Sequence, residues 1–187
     1  MNLSDNVVGY AIAVVVITGL AQKVLATMRH GHWGNILRSR RVLKQLIRLG
    51  AEENEPARQF GFMRRIDPFL FEEVILTALK RAGHRIQRNA RYTGDGGIDD
   101  QCWIRGEHYL IQVKRYSSHI NPRQVNDFAQ LCRARRAKGL FIHTGKTGRH
   151  AKAQTTDHVR IISGQGLLSL LAQGALPLHK VFHKKCG

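Results

Sequence analysis

The sequence predicts an α/β protein in which a helix, three strands, a helix and a further strand follow one another, preceded by an N-terminal transmembrane helix. Three observations support this prediction. An uncharged run covers positions 6–22, apolar residues recur at helical spacing after position 68, and short apolar runs at strand spacing follow from position 84. The chain has 187 residues, which is enough for one domain of modest size with appendages.

The N-terminal run from Asn6 to Gln22 contains 17 residues without a charge. As a helix it would span about 25 Å, whereas the hydrocarbon core of a bilayer is about 30 Å thick. Its length is therefore marginal, and it reaches the required span only if the helix continues to Met28 with Lys23 snorkelling to the interface. The alternative is that the same run packs as a buried strand or helix against the domain that follows.

The charges that flank this run predict its orientation. Asp5 precedes the run, whereas basic residues follow it from Lys23 onwards. By the positive-inside rule, the amino end lies outside and the rest of the chain lies in the cytoplasm. The expectation is a single-pass protein of the cell inner membrane.

A basic segment connects this run to the rest of the chain. Residues 35–49 interleave apolar side chains with five basic ones, which is typical of a basic amphipathic helix. This helix is expected either to lie on anionic lipid headgroups or to dock on the following domain. Residues 50–58 read as a polar linker. The predicted organisation is a membrane anchor at 1–28, a basic helix and linker at 29–58, an α/β domain at 59–174 and a basic tail at 175–187.

The charge of the chain indicates a polyanionic partner. Lys and Arg number 30 against 13 Asp and Glu, a formal net charge of +17. Such an excess favours binding to nucleic acid or to an anionic membrane surface. Between Phe128 and Thr156 there is no acidic residue at all. The three cysteines are odd in number and widely spaced, so the sequence indicates neither a disulfide framework nor a zinc site.

The elements of the α/β domain follow from periodicity and from Gly and Pro positions. The first helix begins at Asp67-Pro68 and ends at Gly83. The strands and helices after it are predicted at His84–Tyr92, Gly97–Arg105, Glu107–Tyr116, from Asn121-Pro122 to about Lys138, Gly139–Thr144, Arg149 to about Asp157, Arg160–Ser163 and Gly166–Gln173.

The stretch from Thr93 to Tyr116 contains the candidate chemistry. Strand side chains alternate between faces, so Leu110, Gln112 and Lys114 share one face, opposite an apolar one. If the two strands form a hairpin through the turn at 105–107, Asp99 comes beside Gln112 and Lys114. Two hard oxygen ligands suit Mg²⁺, and a lysine beside the metal suits polarisation of a phosphodiester and activation of water.

The motifs GDGGID at 94–99 and IQVKRY at 111–116 resemble the catalytic domain of Mrr-type (type IV) restriction endonucleases, within the PD-(D/E)XK nuclease superfamily. The resemblance extends over roughly Ile66 to Leu171. Gln112 stands where the wider superfamily has an acidic residue, and the Mrr-like branch carries glutamine there. The resemblance implies a restriction-endonuclease-like αβββαβ core with a mixed central sheet, and a DNA endonuclease that depends on Mg²⁺ or Mn²⁺.

The resemblance also implies residue roles. The catalytic residues are expected to be Asp99, Gln112, Lys114 and Glu72, and the metal ligands Asp99, Gln112, the carbonyl of Val113, and Glu72. The alternative for Glu72 is a first-turn carboxylate that the helix dipole favours. DNA contacts are expected from basic and aromatic residues after the motif, namely Arg115, Tyr116, Arg133, Arg135, Arg136, Lys138 and Lys146.

Three functions compete on this sequence. The first is a membrane-anchored, metal-dependent DNA endonuclease, with DNA and membrane as partners, homodimerisation as a further possibility and no small-molecule substrate. The second is a non-catalytic or structure-selective DNA-binding protein of the same fold, acting in plasmid transfer or repair. The third is a membrane-surface protein whose charge serves lipids alone. The presence together of Asp99, Gln112 and Lys114 argues for the first, because a binding module has no need for all three.

Overall fold

The computed structural model describes residues 3–51, 55–89, 100–153 and 158–176. Its centre is a five-stranded mixed sheet of order β1-β2-β3-β4-β5, antiparallel from β1 to β3 and parallel from β3 to β5. The elements are α1 (Leu3–Leu49), α2 (Glu55–Arg65), α3 (Pro68–Arg81), β1 (Arg85–Arg88), β2 (Asp100–Ile104), β3 (Glu107–Lys114), α4 (Pro122–Ala134), β4 (Lys138–His143), α5 (Arg149–Ala153), β5 (Val159–Ile162) and α6 (Gly164–Gln173). The predicted α/β fold with a mixed sheet is confirmed.

Helices cover both faces of the sheet. On one face, Tyr109, Ile111 and Val113 of β3 join a core with residues of α1, α3 and α6. On the other face, Leu110 and Phe141 join a second core with α4 and α5. Because strand side chains alternate, Gln112 and Lys114 share the α4 face with Leu110.

Local signals in the sequence account for α3 and for the hairpin. Asp67 caps α3 by accepting the backbone N–H of Leu70 at 3.1 Å, and Pro68 occupies the first turn. After α3, Gly83 has a positive φ of 85°. In the β2–β3 turn, Arg105 and Gly106 have φ values of 53° and 83°, which is the signature of a two-residue type I′ hairpin. Both predicted features are confirmed.

Two expectations about helices are wrong. The helix α4 ends at Ala134 rather than near Lys138, because Arg136 adopts a positive φ of 50° and Lys138 already begins β4. The first turn of α3 contains no acidic residue, so the helix dipole does not explain Glu72. The neighbouring Glu73 is fully buried and forms an ion pair with Arg88 at 2.9 Å.

The basic segment 35–49 docks on the α/β domain, which decides between the two expectations for it. It forms the second half of α1, and its Leu43 and Leu46 are buried in the core shared with α3. The hydroxyls of Ser39 and Thr77 lie 2.7 Å apart across this contact. Gln59 of α2 donates to the carbonyl of Leu46 at 2.8 Å. The opposite face of this segment remains exposed to solvent.

The transmembrane helix expected at the N terminus is not supported. Among the residues that the structure describes, no helix is long and apolar enough to cross a membrane. The alternative of a buried run is not observed either, because Tyr10 and the side chains at 14–17 are more than half exposed. The glycine-rich turn at 94–97, Asp99 and the tail from 177 lie outside the described residues, and the predicted domain boundaries stay predictions.

Candidate active site

The structure brings Gln112 and Lys114 together at the C-terminal end of β3. In the parallel register with β4, Gln112 lies opposite Phe141 and Lys114 lies opposite His143. Gln112 is only 9% exposed and Lys114 is half-buried. An amide and an ammonium group are therefore held on the same face of a rigid central strand, at the boundary between the core and solvent.

Asp99 lies outside the described residues, but its neighbour in the chain is well defined. Asp100 begins β2, pairs with Ile111 of β3 and is 4% exposed. Its carboxylate accepts the backbone N–H of Asn89 at 2.8 Å. Asp99 immediately precedes Asp100 in the sequence, and Asp100 lies opposite Ile111, the residue before Gln112.

Glu72 is buried, with 8% exposure, on α3. This helix packs against the sheet face formed by Tyr109, Ile111 and Val113. Each of Glu72, Gln112 and Lys114 is engaged in a hydrogen bond, an ion pair or another electrostatic contact. The structure thus places Glu72 in the helix layer on the opposite side of the sheet from Lys114, and its role as a ligand stays a prediction.

The donor chemistry of β3 suits a hard metal ion only in combination with a carboxylate. In the part of the chain that the structure describes, no group of three or more His, Cys, Asp or Glu side chains could hold a metal. Gln112 offers an amide oxygen and Val113 a backbone carbonyl, which are ligand types that Mg²⁺ accepts. The charged ligand that the sequence predicts, Asp99, lies in the segment that is not described.

His143, beside Lys114, is a buried neutral residue that sequence reasoning missed. Its Nδ1 accepts the backbone N–H of Gly145 at 3.1 Å, so the ring proton lies on Nε2, which is 3.1 Å from the hydroxyl of Thr147. That hydroxyl is in turn 2.9 Å from the hydroxyl of Ser163. Burial lowers the pKa of His143 to about 4. At neutral pH, the residue that pairs with Lys114 on the adjacent strand β4 is therefore uncharged.

The loops after β3 and β4 are clamped together. The Thr144 hydroxyl accepts the backbone N–H of Tyr116 and donates to its carbonyl, both at 3.0 Å. Arg64 of α2 donates to the carbonyls of Tyr116 and Thr144 at 3.1 and 2.8 Å. Arg64 lies outside both motifs, so no signal in the sequence identifies it. The clamp fixes the chain that follows Lys114.

Three of the predicted DNA contacts lie at this end of the sheet. Arg115 donates to the carbonyl of Arg64 at 2.8 Å, and the Tyr116 hydroxyl donates to the side chain of Gln124. Lys146 is exposed in the loop after β4, and its backbone pairs with the loop after β3. Arg115 and Tyr116 therefore have structural contacts, whereas Lys146 presents its ammonium group to solvent.

The other predicted DNA contacts lie at the opposite end of the sheet. Arg133, Arg135 and Arg136 are exposed at the end of α4. Lys138 lies opposite Tyr109 and forms an ion pair with Glu107. The five residue steps along β3 from Tyr109 to Lys114 correspond to about 17 Å. The structure does not bring this basic block together with Gln112 and Lys114.

The fold and the paired side chains of β3 are those expected of a nuclease of the restriction endonuclease type. A model of the Mrr_cat restriction endonuclease family matches residues 63–171, more than half of the chain. The chain belongs to this family of restriction endonucleases, which are DNA nucleases that hydrolyse phosphodiester bonds. No curated protein and no solved structure matches it.

Proposed function

We propose that this chain cleaves DNA in a reaction that depends on Mg²⁺ or Mn²⁺, at the C-terminal end of β3. The observation that supports the proposal most strongly is the placement of Gln112 and Lys114 on one face of the central strand, next to the anchored start of β2. Family membership supports the reaction class. The order of the elements supports Asp99 as the third member of the site.

In this proposal Asp99 and Gln112 would hold the metal, with the carbonyl of Val113 as a further ligand; Glu72, which lies in the helix layer on the other face of the sheet, is not assigned to it. A metal held there would supply Lewis-acid chemistry and would lower the pKa of a bound water. Since Gln112 is a neutral ligand, the site carries less negative charge than one with two carboxylates. We therefore expect weaker metal binding than in relatives with an acidic residue at this position.

Lys114 orients the attacking water or stabilises the negative charge that develops on the phosphate. His143, buried on the adjacent strand opposite Lys114, leaves Lys114 as the cation at this position of the site. The loop clamp at Thr144 and Arg64 keeps the backbone after Lys114 in place. A rigid support of this kind favours the geometry that in-line attack requires.

Single substitutions test the assignment. Asp99→Ala and Lys114→Ala should each abolish plasmid cleavage while DNA binding is largely kept, because both side chains act on the reacting phosphate rather than on the rest of the duplex. Lys152→Ala, which removes an exposed lysine of α5, is the matched control and should retain activity. Full activity in either Asp99→Ala or Lys114→Ala would remove the site from consideration.

The predicted location, with the nuclease domain on the cytoplasmic side of the inner membrane, stays a prediction. Alkaline carbonate extraction of membranes from cells that express the full chain tests it. An integral protein stays with the lipid under these conditions, whereas a soluble or peripheral protein is released.

A further inference from the structure

A cleft lies between α1 and α3, on the face of the sheet opposite to Gln112 and Lys114. Its volume is about 690 Å³. The apolar part of its lining comes from Ile36, Leu43 and Ile47 of α1. Leu43 is buried in the core, whereas Ile36 and Ile47 are half-exposed. The floor of the cleft is therefore aliphatic surface that the fold itself leaves only partly covered.

The rim of this cleft is cationic. Its basic residues come from three elements and are Arg40, Lys44, Arg48, Lys80, Arg81 and Arg88. The lining that the structure describes contains no acidic side chain. Arg88 is held by Glu73 beneath the rim, and the charges of α1 and α3 face one another across the opening. Like charges at this density repel one another, so an anion bound between them is favoured.

The combination of an aliphatic floor and a cationic rim selects among anions. A DNA backbone or a free phosphate would use the rim but would leave Ile36 and Ile47 in water. A molecule with a phosphate and an acyl chain uses both parts, since burial of each methylene removes apolar surface from water. The chemistry of the cleft therefore fits an amphipathic anion.

The surface of α1 next to the cleft points to the same class of ligand. Trp33 and Leu37 are 61% and 57% exposed, and each lies about two helical turns before a rim residue, Trp33 before Arg40 and Leu37 before Lys44. Exposed Trp and Leu beside Lys and Arg are typical of helices that lie in a membrane interface. Further towards the N terminus, the exposed side chains at 14–17 are all aliphatic.

We propose that the cleft between α1 and α3 binds an anionic glycerophospholipid, with the phosphate headgroup at the basic rim and part of an acyl chain on the aliphatic floor. This assignment does not rest on the proposed nuclease function. Because the cleft and the Gln112–Lys114 pair lie on opposite faces of the sheet, lipid and DNA bind at the same time rather than in competition.

The test is a titration of the full-length chain with water-soluble short-chain lipids, followed by Trp33 fluorescence in a Trp103→Phe background. The probes are dihexanoyl phosphatidylglycerol, dihexanoyl phosphatidylcholine and glycerol 3-phosphate. We expect the anionic lipid to bind at least about tenfold more tightly than the zwitterionic one, and glycerol 3-phosphate to compete weakly. The expected difference comes from the attraction of the basic rim for the net negative charge of the anionic headgroup.

Two matched triple variants separate the cleft from general charge. Arg40→Gln/Lys44→Gln/Lys80→Gln changes three exposed rim residues and should weaken lipid binding by about 10- to 100-fold. Arg133→Gln/Arg135→Gln/Arg136→Gln removes the same charge from another surface and should change it by less than about threefold. Ile47→Ser should weaken lipid binding but leave DNA binding unchanged.

Three results would overturn the proposal. Equal losses in the two triple variants would show that net charge alone attracts the lipid. Glycerol 3-phosphate that binds as tightly as the lipid would make the cleft a site for free phosphate. DNA that displaces the lipid would make the rim part of the DNA-binding surface. The comparison of the three probes uses the unaltered chain, so it still tests the proposal if a variant folds poorly.

Discussion

Gln112 provides a neutral amide at the position where other metal sites of this kind have a carboxylate. It is 9% exposed and lies beside Lys114 on the α4 face of β3. We predict that Gln112→Glu keeps cleavage activity and lowers the Mg²⁺ concentration needed for half-maximal cleavage, because it adds a charged oxygen ligand. A metal titration of plasmid cleavage measures this.

The matched control is Gln130→Glu, which makes the same chemical change on the exposed surface of α4. It should leave the Mg²⁺ dependence unaltered. A Gln112→Glu variant that is folded but inactive would contradict the ligand role and would show that the amide N–H₂ group is needed.

His143 predicts a pH dependence of stability. Its pKa is about 4 in the folded chain, against 6.5 for an unperturbed histidine. Below pH 6.5 the unfolded state therefore binds a proton that the folded state does not bind. The free energy of unfolding is unaffected by this group above pH 6.5 and falls as the pH drops towards 4, by about 2 kcal/mol at pH 5.

Urea unfolding at pH 7.5 and pH 5 measures this loss in the unaltered chain and in His143→Gln. The variant is less stable at both pH values because it disturbs the contacts to Gly145 and Thr147, but its additional loss at pH 5 should be smaller by about 2 kcal/mol. An identical pH dependence in both proteins would show that His143 is not held neutral.

Alternation along β3 was enough to predict the residue pair of the site. The sequence identifies Gln112 and Lys114 as candidates because these two polar residues interrupt an otherwise apolar run. His143 and Arg64 could not be predicted in the same way. The state of His143 depends on its burial and on the hydrogen bond that its Nδ1 accepts from Gly145. Arg64 contacts the carbonyl of Tyr116, which is 52 residues away along the chain. Both depend on packing that a local pattern does not contain.

At the scale of elements, the close approach of the loops after β3 and β4 supports the site. A Cβ atom added at Gly145 would lie 2.4 Å from the carbonyl oxygen of Ser118 and 2.7 Å from Cβ of Tyr116. We predict that Gly145→Ala forces the loops apart, lowers the free energy of unfolding by about 1–3 kcal/mol and reduces cleavage. Thermal unfolding and plasmid cleavage measure the two effects.

Gly61→Ala provides the control, because a Cβ atom at this position of α2 meets nothing within 4 Å. Alanine is also the better helix former, so this variant should be slightly more stable, by up to about 1 kcal/mol. If Gly145→Ala were as stable and as active as Gly61→Ala, the loop clamp would have no importance for the site.

Elements with local signals and the mixed sheet were predicted well, whereas the surface that covers the basic segment 35–49 was left open. Asp67-Pro68, Gly83 and the Arg105-Gly106 turn identify α3 and the hairpin because capping and turn chemistry act within a few residues. The docking of α1 on α3 through Leu43 and Leu46 had an equally good alternative on lipid. The sequence of a basic amphipathic helix predicts which face of the helix is apolar, but it does not predict which surface packs against that face.

At the scale of the whole molecule, the positive charge is divided between surfaces. Arg133, Arg135 and Arg136 lie just before β4, whose first residue Lys138 pairs with Tyr109, about 17 Å along β3 from Lys114. We predict that their combined replacement by alanine weakens DNA binding and reduces the slope of log K against log salt by up to about 3, since each phosphate contact contributes about 0.9. Cleavage at saturating DNA should remain within about twofold.

The matched control replaces Arg38, Arg40 and Arg41, which are exposed on α1 in the layer on the other side of the sheet. It removes the same charge and should change the salt slope less. Fluorescence anisotropy over a range of salt concentrations measures both slopes. An unchanged slope after replacement of Arg133, Arg135 and Arg136 would move the DNA path to another surface.

We propose that this chain is a catalytically competent, metal-dependent DNA nuclease whose site contains Gln112 and Lys114. Incubation of the full-length chain with supercoiled plasmid, with Mg²⁺, with Mn²⁺ and with a chelator, tests this activity. We predict nicked and linear plasmid only when the metal is present, and no product with Lys114→Ala at protein concentrations that still bind the plasmid. Plasmid that is fully bound by the unaltered chain but stays supercoiled with either metal would contradict the claim and would leave a DNA-binding module of the same fold.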